Sequence, residues 1–189
     1  KKINITYTGS IYKGKQDPEL LFRALYDLHL SNKVDIYDFK VDFYGYDKDW
    51  LKDYIEKYKL DSVVNLYGMV SREKSILKQR KAQILLLLNW NDPQEKGVYT
   101  GKLFDYLAAQ RPILSIGPFG GVVEELLEQT KAGIHISTLE ELKTTILEFY
   151  EEYKKIGSVS YQGILDRVEK YSHREMARKF AKVLDSISE

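Results

Sequence analysis

Short apolar runs of strand length alternate with segments of helical period from one end of this chain to the other, and no other feature limits its fold so strongly. That alternation is the βαβα pattern of a parallel sheet covered by helices on both faces. Strands are expected near 3–8, 39–44, 63–67, 83–88, 112–116 and 133–136, and helices near 17–31, 47–59, 71–81, 101–109, 121–130 and 138–155. In the fourth strand, AQILLLLNW is apolar at consecutive positions, as a central strand buried on both sides requires, whereas VDFYG alternates more and is expected nearer an edge. Six parallel strands of this kind make a Rossmann-like α/β sheet.

Several helix starts are written into the sequence. Asp17 followed by Pro18 reads as a cap with proline in the first turn, Ser71 caps REKSILKQR, and Thr138 with Glu141 forms a capping box. From Tyr161 onward the chain reads as wholly helical, with Ser172 capping HREMARKFAKVLDSI. Met176, Phe180, Val183, Leu184 and Ile187 form one apolar stripe there, which is expected to pack on something. The expected organisation is a single domain over 1–189, with an α/β core over 1–156, a C-terminal helical extension over 157–189, and a loose joint at IGSVSYQG.

A chain of 189 residues supports one domain with a substantial core. Its 29 lysines and arginines balance 28 acidic residues, so no global field steers it toward nucleic acid or an anionic bilayer, and any anion must be bound locally. The absence of cysteine excludes disulfides and thiolate metal sites, and the scattered His29, His135 and His173 do not compose a metal site. The longest apolar run, Ile84 to Leu88, is far short of the roughly 18 residues that span a membrane. The chain opens KKINITYTGS, without an initiator Met or a signal-peptide pattern, and is read as an excised fragment.

In an open parallel sheet, ligands bind at the carboxyl ends of the strands, near the point where strand order reverses. Four strand ends here carry unusual residues. After the first strand, Gly9 and Ser10 lead into Lys13 and Lys15 just before a helix: a diphosphate grip, or a solvated turn with surface lysines. After the third, Gly68, Met69 and Val70 offer backbone groups to a base edge and apolar side chains to its ring, or form a short turn that needs glycine. After the fifth, Gly117, Gly120 and Gly121 precede another helix start.

The strongest signal follows the fourth strand, in NWNDPQEKGVYTGKLFDYLAAQRPIL. A loop of Asn91, Asp92, Pro93 and Gly97 leads through Tyr99 to a helix opening at Thr100 and Gly101, whose free N–H groups and positive dipole end suit a phosphate. Lys102 adds a full charge, and Asp105 lies one turn deeper, where a carboxylate accepts hydrogen bonds from ribose hydroxyls. Leu103, Phe104, Leu107 and Ala108 are expected to face the sheet.

These stations, in this order, resemble the C-terminal domain of the bacterial two-domain retaining glycosyltransferases of the group 1, family 4 type, whose signature is two carboxylates with seven residues between them. The matching pieces are TGSIYKGK, NLYGMVS and above all TGKLFDYLAAQRPIL, and the resemblance covers nearly the whole chain. It implies a GT-B arrangement in which this part binds a nucleotide diphosphate sugar and an N-terminal domain, absent from this sequence, binds the acceptor. By that match Asp105 takes the second acidic position, which in the family holds the ribose. Eight residues earlier stands Gly97, so the first carboxylate is missing or displaced to Glu95. Ser10 stands where relatives carry arginine, which leaves Lys13 or Lys15 to neutralise the diphosphate. The donor site is thus read as Gly9, Ser10, Gly68, Met69, Val70, Tyr99, Thr100, Gly101, Lys102 and Asp105, with Lys13, Lys15 and Glu95 as the groups nearest the chemistry.

The resemblance further implies hexosyl transfer in cytoplasmic polysaccharide assembly, with no metal ion or other cofactor, because helix dipoles and lysines stabilise the departing diphosphate. The closing helix often braces the other domain in such enzymes, and the full enzyme is of a kind that associates peripherally with membranes. No general base stands out in this fragment. Two other readings stand beside it: a nucleotide-sugar epimerase, which needs acidic and basic groups at the sugar carbon, and a non-catalytic nucleotide-binding regulatory domain, which the missing first carboxylate favours. The fifteen tyrosines are not interleaved with a basic stripe, which argues against nucleic acid.

Overall fold

A computed structural model describes residues 2–46 and 49–187. Six parallel strands form one sheet: β1 (Ile3–Thr8), β2 (Phe39–Tyr44), β3 (Val64–Tyr67), β4 (Ile84–Leu88), β5 (Ile113–Ile116) and β6 (Gly133–Ile136), in the order β3-β2-β1-β4-β5-β6. The helices are α1 (Glu19–Leu30), α2 (Leu51–Lys57), α3 (Arg72–Lys81), α4 (Gly101–Ala109), α5 (Val122–Thr130), α6 (Leu139–Ile156), α7 (Leu165–Glu169) and α8 (His173–Ile187). The expected α/β Rossmann-like sheet is therefore present, with every strand within a residue of its sequence reading.

The pleat divides β4 between two cores. Ile84, Leu86 and Leu88 pack with Ile3, Ile5, Tyr7, Val41 and Phe43 under α1, α2 and α6, while Leu85 and Leu87 join α4, α5 and Ile113 on the opposite face. A central strand contacts helices on both sides, which is why all five β4 residues are apolar. β2 lies beside the edge strand β3, and its alternation has a visible cause. One face of β2 feeds the first core, and the other turns Asp42 toward Asn4 and Asn65, whose side-chain amides donate to its two oxygens at 2.9 and 3.0 Å, and toward Lys40 at 2.9 Å. Asp42 is only 2% exposed, and a carboxylate so deep persists because its lone pairs are filled.

Helix boundaries follow local chemistry. Ser71 accepts from the Lys74 N–H at 3.3 Å, and Thr138 and Glu141 close the expected capping box. α1 begins later than the sequence suggests, because the Asp17 carboxylate takes the Glu19 N–H at 2.8 Å and Pro18 becomes the flanking residue. Of the helix expected over 47–59, residues 47 and 48 lie outside the described residues, and α2 itself starts at Leu51.

Two further expectations are corrected. On α4 the face turned inward is Leu103, Tyr106 and Leu107, with Phe104 half-buried and Ala108 exposed. The register i, i+3, i+4 selects Tyr106 because its hydroxyl has a polar partner inside, the Thr8 N–H at 2.9 Å. The segment after α6 is neither wholly helical nor a loose joint. Val159 is buried and its N–H bonds Gln83 at 2.9 Å, Tyr161 packs on the second core, and the Ile164 N–H reaches the Thr130 carbonyl at 2.8 Å. The apolar stripe of α8 is largely exposed: Met176, Phe180, Val183, Leu184 and Ile187 are 39% to 75% exposed.

Candidate functional site

Strand order reverses between β1 and β4, and a cleft of about 270 Å³ opens at the carboxyl edge of the sheet on the α3 and α4 side. Its floor is backbone. Gly9 ends β1 with φ +109° and donates its N–H to the Tyr44 carbonyl at 2.8 Å, and Gly45 ends β2 with φ +137°. A Cβ on Gly45 would stand 2.2 Å from the Gly9 carbonyl oxygen, so the two loops touch only because Gly45 has no side chain. Met69 and Val70 form one wall, and Asp105 the other. The structure thus brings Gly9, Met69, Val70 and Asp105 together. Gly68 contributes a carbonyl that accepts from the Gly45 N–H at 3.3 Å.

α4 opens beside this cleft. Thr100 is extended, at φ −81° and ψ 144°, and its side chain makes no capping bond to the helix. The first-turn N–H groups therefore carry no side-chain cap, and Gly101 has no heavy atom within 4 Å of where a Cβ would be. Lys102 turns inward: its ammonium lies 4.0 Å from the centre of the Tyr7 ring and donates to the Tyr7 hydroxyl, which in turn donates to the Ser10 carbonyl at 2.8 Å. Burial pulls the Lys102 ammonium down to about 8 and pushes the Tyr7 phenol well up. Its Cε would be 3.3 Å from a Cβ on Gly9, so a cation held by neutral partners sits directly under the Gly9 loop.

Asp105 points the other way. Its Oδ1 meets the Arg72 guanidinium at 3.4 Å, with the carboxylate side chain 31% exposed to the cleft. Lys102 and Asp105, which the sequence places on one helix face, are therefore divided between the floor and the wall.

The loops after β4 and β5 line a second, small pocket, which includes Trp90, Glu95, Thr100, Gly120 and His135. Glu95 closes a 3-10 turn over Pro93–Glu95 and faces this pocket. Lys15 lies against it as well, its ammonium 4.1 Å from the Trp90 ring, while Lys13 is exposed on the turn around Gly14. Gln16 fixes that turn by donating to the Leu88 carbonyl at 2.7 Å. Tyr99 stands at the rim with its ring edge on Phe104. His135 meets Ser115 Oγ at 3.0 Å and the Pro118 carbonyl at 3.1 Å; a carbonyl only accepts, so the proton is on Nε2 and Nδ1 accepts from the serine. This chain ties the glycine loop after β5 to β6.

Sequence reasoning missed Tyr44, Gly45 and Arg72. Gly45 had a readable signal, a glycine immediately after a strand. Arg72 had none, because its place in the cleft depends on how α3 sits against α4.

No family profile and no curated protein matches this chain. Solved structures do. The Anabaena HepE protein in complex with UDP superposes with TM-score 0.74 at 14% identity, over 98% of this chain and 49% of that one. A glycosyltransferase from Rickettsia africae gives 0.73 at 18% identity, over 100% and 49%, and the lipopolysaccharide outer core galactosyltransferase WaaB in its apo form gives 0.66 at 15%, over 98% and 50%. The chain spans about half the length of each. Identity this low speaks for architecture alone: a Rossmann-like α/β fold shared with about half of each of these chains.

Proposed function

We propose that this chain binds a nucleoside diphosphate sugar as the donor half of a glycosyltransferase, with the acceptor held by an N-terminal half outside this sequence. The supporting observation is the placing of four features around the strand-order reversal, two lining the cleft and two, the amino end of α4 and Lys102, adjoining it. These are the bare backbone of Gly9 and Gly45, the uncapped amino end of α4, the enclosed Lys102 ammonium and the outward carboxylate of Asp105. In this reading the diphosphate lies over Gly9 and the N–H groups of α4, and Lys102 neutralises it from below. The ribose hydroxyls donate to Asp105, and the base enters between Met69 and Val70 with backbone groups reading its edge. Glycosyl transfer breaks the bond between the anomeric carbon and the diphosphate oxygen, so the charge that develops falls on groups already in place, without a metal ion. The transferred sugar extends toward Thr100 and Glu95, and Lys15 stands ready on that side. UDP in the HepE crystal makes uridine the first base to test.

Polysaccharide assembly in the cytoplasm and a hexosyl donor belong to the same proposal. So does the partner of α8, whose exposed stripe would be covered by the N-terminal half.

Calorimetric titration with UDP tests the reading. Asp105→Ala is expected to weaken UDP by at least about tenfold, the value of one charged hydrogen-bond partner, with the melting transition unchanged. Equal affinities for the parent and the variant would remove Asp105 from ribose binding.

A further inference from the structure

Arg72 opens α3, at the end of the helix where the dipole disfavours a cation. Its own helix offers only the charge of the adjacent, fully exposed Glu73, since Ser75 and Ile76, the residues one turn on, carry no carboxylate. Its side chain is 72% exposed, and its ion pair runs to another helix, from Nη2 to Asp105 Oδ1 at 3.4 Å. Ser71 fixes the start of α3, so the guanidinium is launched from a defined position beside Met69 and Val70.

Asp105 needs such a partner. Its nearest intrahelical cation, Lys102, is committed to Tyr7 on the floor. A half-exposed aspartate left alone samples several rotamers, and a carboxylate that must accept two neighbouring hydroxyls loses affinity when it does. With Oδ1 engaged by Arg72, Oδ2 is the oxygen left to accept from a ligand.

We propose that Arg72 is a positioning residue for sugar-ring recognition, holding the Asp105 carboxylate so that the site selects ribonucleoside over deoxyribonucleoside diphosphates. This rests on the donor-site reading above. Arg72 acts through Asp105, so its removal is felt only by ligands that carry ribose hydroxyls.

The test is calorimetry on the whole chain with UDP and with 2′,3′-dideoxyuridine 5′-diphosphate. The parent protein is expected to prefer UDP by about tenfold or more. Arg72→Ala should weaken UDP by about fivefold, the upper end for an exposed ion pair, and leave the dideoxy ligand unchanged. In an Asp105→Asn background it should add nothing. Equal losses on both ligands would mean that Arg72 touches phosphate or base directly, and would overturn the proposal, as would no loss on either. Arg72 is exposed, so the melting transition should not move. If the parent protein binds none of UDP, GDP and ADP, the donor-site reading itself fails and this proposal goes with it. Binding by the parent with the wrong variant pattern sinks only the role of Arg72.

Discussion

Lys102→Met separates what the enclosed ammonium costs the fold from what it gives the ligand. An ordinary lysine titrates at 10.5 and this one at about 8, which at 1.36 kcal/mol per pH unit corresponds to about 3 kcal/mol against the charged form in the folded state. Methionine has nearly the same length and no charge, so it keeps the contacts with Gly9 and the Tyr7 ring. It loses one hydrogen bond to Tyr7, about 1 kcal/mol. The variant should therefore be more stable than the parent at pH 7 by about 2 kcal/mol, or roughly 4–8 °C for a chain of this size. The advantage depends on pH. Below about 8 the lysine is protonated folded and unfolded, and the full penalty applies. Between about 8 and 10.5 the unfolded chain holds the proton that the folded chain has released, so parental stability rises with pH and the gap closes. Urea denaturation of both proteins at pH 7 and pH 10 reads this directly, because titrations common to the two cancel in the difference. A variant less stable than the parent at pH 7, or a gap that ignores pH, would refute the burial argument. The same variant should bind UDP more weakly by about tenfold or more despite its greater stability, since the ammonium beneath the Gly9 loop is gone.

Two further substitutions probe the frame. Gly45→Ala places a Cβ 2.2 Å from the Gly9 carbonyl at φ +137° and should cost at least about 2 kcal/mol, read as a lower urea midpoint; an unchanged midpoint would mean that the two loops do not touch. Phe180→Ser, at a ring 66% exposed on α8, should leave the stability of this chain within about 0.5 kcal/mol, and a larger loss would show that α8 packs on the domain after all.

The sheet was legible because its signal is local and repeated. A strand buried on both faces, such as β4, must be apolar at every position, and one that faces polar residues on one side, such as β2, must alternate; both patterns can be counted along the chain. The caps at Ser71 and Thr138 were readable for the same reason, since donor and acceptor lie within four residues of each other. What escaped depends on partners far away in sequence. Tyr106 displaced Ala108 from the buried face because Thr8, 98 residues earlier, offers its N–H to the hydroxyl. The joint near 156–163 looked loose by composition and is pinned by Gln83 and Thr130, which no local rule brings beside it.

The candidate site divides along the same line, and the division says where its chemistry resides. Gly9, Met69 and Val70 were readable as strand-end residues, because topology sends every strand end to one edge of a parallel sheet, and Asp105 as a residue one turn into the helix that opens there. Side-chain direction was not. Lys102 and Asp105 share a helix face by spacing, yet a long aliphatic stem lets the ammonium bury beneath Gly9, whereas the short aspartate cannot leave the rim and finds Arg72 there. A cation below and an anion beside the same cleft suit a ligand with charge at one end and hydroxyls in its middle. A ligand with phosphates alone would be repelled by Asp105, and an uncharged sugar would leave Lys102 facing only Tyr7. A nucleoside diphosphate meets both demands at once, which is why the separation of these two side chains, invisible to periodicity, favours that ligand class more strongly than either residue does alone.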